Sequence, residues 1–171
     1  MTLEVVEPGF LTTVQDAGRP GWAHLGVPVG GACDRWSLAV ANLLAGNDAG
    51  AAAIEMTLAG PTLAVRDATT IGLAGADLGG VVVETGRRLE PGRSHRLEAG
   101  STVAFPGGTG DTDAGLRAYL ALPGGFDVPE VLGSASTLLS ARFGGIDGRA
   151  LRNGDVLRGR RDGEAAGQAL T

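Results

Sequence analysis

Thirty glycines in 171 residues, spread between short apolar runs, constrain this chain more than any other feature. Glycine costs a helix interior about 1 kcal/mol relative to alanine, and it opens left-handed turn conformations to the backbone. A chain punctuated in this way favours short strands joined by turns. Runs of that length occupy residues 3–6, 11–14, 53–58, 62–66, 70–74, 81–84, 93–97, 101–105 and 116–122, with weaker ones at 137–140 and 156–158. Residues 53–58 alternate, with Ile54, Met56 and Leu58 on one face and Glu55 and Thr57 on the other. Strands at this spacing predict a mainly β fold, a barrel or sandwich, with one or two short helices.

One helix is predicted over residues 35–45. Asp34 suits its N-cap, where a carboxylate accepts from free backbone N–H groups. Trp36, Val40, Leu43 and Leu44 fall at helical spacing and are expected to face the core. Gly46 can end the helix in a left-handed conformation. Residues 107–115 read as a glycine-rich surface loop. No apolar pattern continues beyond residue 158, which gives a domain over 1–158 and a linker or tail over 159–171. No internal repeat is visible.

Composition excludes several function classes. The net charge is −5, and the one dense basic cluster is Arg158, Arg160 and Arg161, which argues against a nucleic-acid partner. No apolar run reaches the roughly 18 residues of a membrane span, and no signal-peptide pattern opens the chain. Together with a single cysteine, Cys33, this leads to the expectation of a cytoplasmic protein. All 14 basic residues are arginine. Without lysine the chain cannot carry biotin, lipoate or pyridoxal phosphate covalently, and it has no phosphate-loop lysine. Two histidines and one cysteine leave no expected metal site.

The densest polar group is Thr12 to Gly21, at the end of an apolar run. Asp16 can act as a base or orient Arg19, and Arg19 can hold a carboxylate or phosphate through two parallel hydrogen bonds. The same spacing also fits a turn locked by an internal Asp–Arg pair. The glycine loop before Asp34 resembles an anion cradle, but a carboxylate at the cap repels an anion, so Asp34 is read as structural. Cys33 is read as a small packed residue, since His24 is the only local base that could activate it. Asn42 lies inside the predicted helix and needs a hydrogen bond to another segment, while Asn47 follows Gly46 as turn chemistry. Glu55 either faces solvent or lines a barrel mouth. A second polar segment runs from Arg117 to Thr137. Its Gly133-Ser134-Ala135-Ser136 lacks the closing glycine of a hydrolase serine elbow.

Four stretches taken in order carry a resemblance: TTVQDAGRPGWAHLGVPVGGACDRWSLAVANLLAGN (12–47), AIEMTLAGPTL (53–63), RAYLALPGGFDVPEVLGSASTLL (117–139) and GGIDGRALRNGDVL (144–157). They resemble the N-terminal half of the biotin-dependent carboxyltransferase-like family that includes the C component of 5-oxoprolinase, KipA and allophanate hydrolase subunit 2. The resemblance implies a cyclophilin-like β-barrel. It implies one component of an ATP-dependent enzyme that opens 5-oxoproline to glutamate, or a carboxyltransferase component related to urea carboxylase. A KipA-like regulator that antagonises a KipI-like kinase inhibitor is the alternative. Carried over residue by residue, it picks out Gln15, Asp16, Arg19, Asp34, Asn42, Asn47, Glu55, Arg117, Ser134, Ser136 and Thr137; of these, Asp16 and Glu55 are read as catalytic, Asp34 as the cap and the others as substrate-binding. The implied partners are the KipI-like B component of 5-oxoprolinase and its LamB/YcsF-type A component, with self-association a further expectation. ATP, and biotin in the carboxyltransferase branch, then sit on those partners. The chain alone is expected to be inactive, because family members continue into a second half.

Overall fold

The computed structural model describes residues 1–108 and 115–160, so most of the expected 107–115 loop and of the 159–171 tail lies outside the described residues. The described residues contain eleven strands: β1 (Thr2–Glu7), β2 (Leu11–Gln15), β3 (Ala53–Thr57), β4 (Thr62–Val65), β5 (Thr69–Gly75), β6 (Val81–Val82), β7 (Arg87–Arg88), β8 (Arg93–Leu97), β9 (Thr102–Ala104), β10 (Arg117–Ala121) and β11 (Val156–Arg158). They form two antiparallel sheets, one in the order β11-β1-β4-β9-β6-β7 and one in the order β2-β3-β10-β5-β8. The mainly β architecture expected from the glycine punctuation is the one observed.

Between the sheets lies the main core, with Leu3 and Val5 of β1, Leu63 of β4, Ile54 and Met56 of β3 and Leu120 of β10 all buried. Each comes from an alternating position, so one face of every such strand is apolar. Two strand expectations are corrected. Residues 137–140 form no strand, only an isolated bridge from Leu138 to Phe143, because the chain turns there through Gly144 and Gly145. Residues 81–84 shorten to Val81–Val82, which turn through Gly86 into β7, a strand not anticipated. Leu58 does not continue the inward face of β3. It adopts a left-handed conformation at φ 63° and is exposed.

Helix α1 (Arg35–Leu44) packs across β5, β10 and β3, on the face of the second sheet turned away from the main core. A short 3-10 turn, Ala23–Leu25, precedes it. Its buried residues are Ser37, Leu38, Ala41 and Asn42, whereas Trp36 is 79% exposed and Leu43 is also exposed. Of the expected core residues Val40 packs against the cluster beneath the helix, partly buried, whereas Trp36 and Leu43 do not, so the expected face was off by part of a turn. Alanines 53, 74 and 121 keep the sheet surface around Tyr119 low, so Leu38 and Ala41 pack against it while Trp36 and Leu43 turn outward. At Gly72 a Cβ would collide with the Ala41 carbonyl oxygen, so only glycine permits this approach. The helix ends in a Schellman motif: Asn47 N–H donates to the Asn42 carbonyl and Gly46 N–H to that of Leu43, with Gly46 at φ 80°. Among the described residues no helix is long and apolar enough to cross a membrane.

Candidate functional site

The residues singled out in the sequence separate into three groups. The first joins the end of β2 to the 131–145 loop. Asp16 accepts from Gly18 N–H at 2.7 Å, from the Ser134 hydroxyl at 2.7 Å, from Ala135 N–H at 2.6 Å and from the Ser136 hydroxyl. Its carboxylate is occupied by the protein's own donors. Arg19 is 1% exposed. It donates through Nε to the Val131 carbonyl at 3.2 Å and through Nη2 to the Ser136 carbonyl, and its guanidinium lies 4.8 Å from the centre of the Phe143 ring. Burial pushes its pKa below the ordinary arginine value, against the opposing pull of the Asp16 charge. Gln15 donates to Thr13 Oγ1 and the Thr137 carbonyl, and the Thr137 hydroxyl donates to the Val14 carbonyl. In this chain Gln15, Asp16, Arg19, Ser134, Ser136 and Thr137 form a buried clasp, bonded to one another and to backbone.

The second group closes the other end of α1. Asn42, fully buried, donates to the Ala51 carbonyl and accepts from Asn47. Asn47 also donates to the Leu122 carbonyl and accepts from Gly124 N–H. These two amides tie the helix C-terminus to the end of β10. The hydrogen bond that Asn42 needed is thereby supplied.

The third group has a different character. Asp34 caps α1, accepting from Trp36 N–H at 3.1 Å, Ser37 N–H at 3.0 Å and the Ser37 hydroxyl at 2.5 Å. These bonds, the Ser37 hydroxyl foremost, hold its carboxyl below the usual carboxylate range. Glu55 neither faces solvent nor sits on an open rim. At 8% exposure it is buried beneath the chain leading into α1. Its Oε2 accepts from Tyr119 Oη at 2.6 Å and from Cys33 N–H at 2.8 Å, while Oε1 lies 3.6 Å from Arg117 Nε. Tyr119 Oη in turn accepts from Asp34 N–H at 2.8 Å. Burial first, then the bond to Glu55, raises the Tyr119 hydroxyl well above the ordinary tyrosine pKa, so it remains a donor at neutral pH.

Arg117 and Asp34 line an open cleft of about 500 Å³ together with Cys33, Ser37, Ala76 and Leu116. The N–H groups of Trp36 and Ser37 at this helix end already serve Asp34, so the cleft is no phosphate cradle of the helix-terminus kind. Another hollow of about 440 Å³, with Phe126, Val131 and Phe143 among its walls, holds none of the residues marked as catalytic or substrate-binding. Among the described residues no cluster of His, Cys, Asp and Glu suits a metal ion. The cleft is the better candidate, since it places the buried carboxylate of Glu55 behind a guanidinium that lines it, both being residues singled out in the sequence. Sequence reasoning missed Tyr119. The available signal was its position two residues after Arg117 on one strand, which sends both side chains to the same face.

Residues 25–170 match the family described as carboxyltransferase domain, subdomain A and B. The chain belongs to this carboxyltransferase domain family. It is 42% identical to the C component of the 5-oxoprolinase of Escherichia coli over 91% of this chain and 48% of that protein. It is 41% identical to the urea amidolyase of Lachancea kluyveri over 90% of this chain and 8% of that protein. Among solved structures, the urea carboxylase of Kluyveromyces lactis superposes with a TM-score of 0.87 at 36% identity, covering 94% of this chain and 14% of that one. The chain thus spans about half the length of the bacterial relative and a small part of the fungal ones. All three are named as enzymes or as part of one, which does not favour the regulatory alternative.

Proposed function

We propose that this carboxyltransferase-family domain is part of a 5-oxoprolinase-type enzyme and contributes the cleft lined by Arg117, with Glu55 buried behind it, to a site that opens a small cyclic amide. The observation that carries the reading is the placement of Glu55 Oε1 3.6 Å from Arg117 Nε, with Arg117 lining the cleft. Arg117 holds the carboxylate of the lactam substrate, a task suited to a planar guanidinium. Glu55, steadied through Oε2, offers Oε1 to take the proton of the water that attacks the ring carbonyl. ATP, bound on a partner protein, supplies the activation of that carbonyl. The similarity to the 5-oxoprolinase C component supports this chemistry.

The test is reconstitution of the full-length protein with its A-type and B-type partners and measurement of ATP-dependent glutamate release from 5-oxoproline. Turnover is expected in the assembly and not in the chain alone. Arg117→Ala is expected to raise KM by roughly 10-fold or more, about 1.4 kcal/mol of lost substrate binding. An assembly that carboxylates urea and leaves 5-oxoproline intact would replace this reading with that of the urea carboxylase relatives.

A further inference from the structure

We infer that Tyr119 is a positioning residue that acts on the reaction through Glu55, an inference that rests on the proposed role of Glu55. Tyr119 of β10 stands directly opposite Glu55 of β3 in the antiparallel register, on the sheet face beneath the helix. It is the only tyrosine in the chain and is fully buried. A buried tyrosine requires one partner for its hydroxyl, and this one has two with opposite roles. It accepts from Asp34 N–H, at the cap of α1, and donates to Glu55 Oε2. The cap residue, the tyrosine and the glutamate therefore form one hydrogen-bonded chain from the helix start to the carboxylate beside Arg117.

The second donor to Oε2, Cys33 N–H, comes from the residue before the cap. One restraint on Glu55 thus comes directly from the entry to α1, and the other comes from β10 through a hydroxyl that the same entry holds. They occupy one carboxylate oxygen and leave the other on the Arg117 side, which is the orientation that proton transfer at the cleft requires. Removing the hydroxyl lets the Glu55 side chain turn about its remaining restraint, and a misplaced general base loses rate rather than substrate affinity.

The experiment is a double-mutant cycle in the reconstituted complex, with Tyr119→Phe and Glu55→Asp. The aspartate keeps the carboxylate but falls one methylene short of the tyrosine hydroxyl. Tyr119→Phe is expected to lower kcat by roughly 10-fold with KM within about 2-fold, and to cost under about 2-fold when added to Glu55→Asp. An equal loss in both backgrounds would overturn the inference, because a merely structural tyrosine acts independently of Glu55. A parallel measurement on the chain itself is urea unfolding at pH 7 of the wild type, Tyr119→Phe, Glu55→Ala and the double variant. The two single losses together are expected to exceed the loss in the double variant, because each removes the same hydrogen bond. Strict additivity shows that Tyr119 does not hold Glu55 and overturns the inference whatever the turnover. Full activity of Glu55→Gln in the complex sinks the proposed function instead, and absent turnover in the wild-type complex does the same, with the unfolding cycle still deciding the contact.

Discussion

Asp16 and Ser136 hydrogen-bond each other in both directions. The Asp16 backbone N–H donates to Ser136 Oγ at 3.1 Å, and the Ser136 hydroxyl donates back to Asp16 Oδ1. Residues 120 positions apart in the chain are joined by side chain and backbone at once. Asp16 also takes the Ser134 hydroxyl and Ala135 N–H, so it gathers a loop whose other bonds lead to Arg19 and β2.

Asp16→Ala is expected to lower folding stability by roughly 2–4 kcal/mol, since several donors in a mostly buried loop lose their acceptor together. Urea unfolding of the variant measures this. A loss below about 1 kcal/mol would mean that the loop is held by its backbone alone and that Asp16 is free for chemistry.

Arg19→Lys keeps the charge but is also expected to destabilise the fold, by about 2 kcal/mol or more. An ammonium cannot reach the Val131 and Ser136 carbonyls while lying flat on the Phe143 ring. Thermal unfolding should show a clear fall in midpoint, with substrate KM in the assembled enzyme nearly unchanged. A normal midpoint with a raised KM would return Arg19 to the substrate site.

Asp34→Ala removes the cap of α1 and is expected to cost about 1 kcal/mol at neutral pH. The folded carboxyl titrates below its ordinary value, so its contribution is present above about pH 4 and is lost as pH falls through the lowered folded value. The difference between wild type and variant should therefore shrink on acidification. Unfolding curves at pH 7 and near about pH 2.5 check the sign, and a gap that widens in acid would contradict the capping role.

Tyr119 gives the opposite limb. Its folded pKa is raised, so its contribution is complete below about pH 10 and is lost progressively as pH climbs beyond that. With no lysine in the chain, few other groups titrate in this window. Stability should decline above about pH 10 in the wild type and more shallowly in Tyr119→Phe. Parallel slopes would show that the buried hydroxyl is not coupled to folding.

The class of fold, helix α1 with its Asp34 cap and Gly46 stop, and the family were all legible in the residues alone. These rest on local signals: alternation along a strand, a carboxylate before a helix, a glycine where φ must be positive. The same reading marked Asp16, Arg19, Ser134 and Ser136 as polar residues in unusual places, yet could not say that they satisfy one another across more than 100 residues. Which face of α1 is buried was settled by packing. The alanine-lined sheet and Gly72 admit the side carrying Leu38, Ala41 and Asn42, whereas hydropathy favoured Trp36 and Leu43. Packing set the environment of Glu55 as well, because strand pairing brings Tyr119 opposite it and the entry to α1 covers it. Register and layer contacts join residues far apart in the chain, and local pattern carries no record of which distant partner will satisfy a buried polar group.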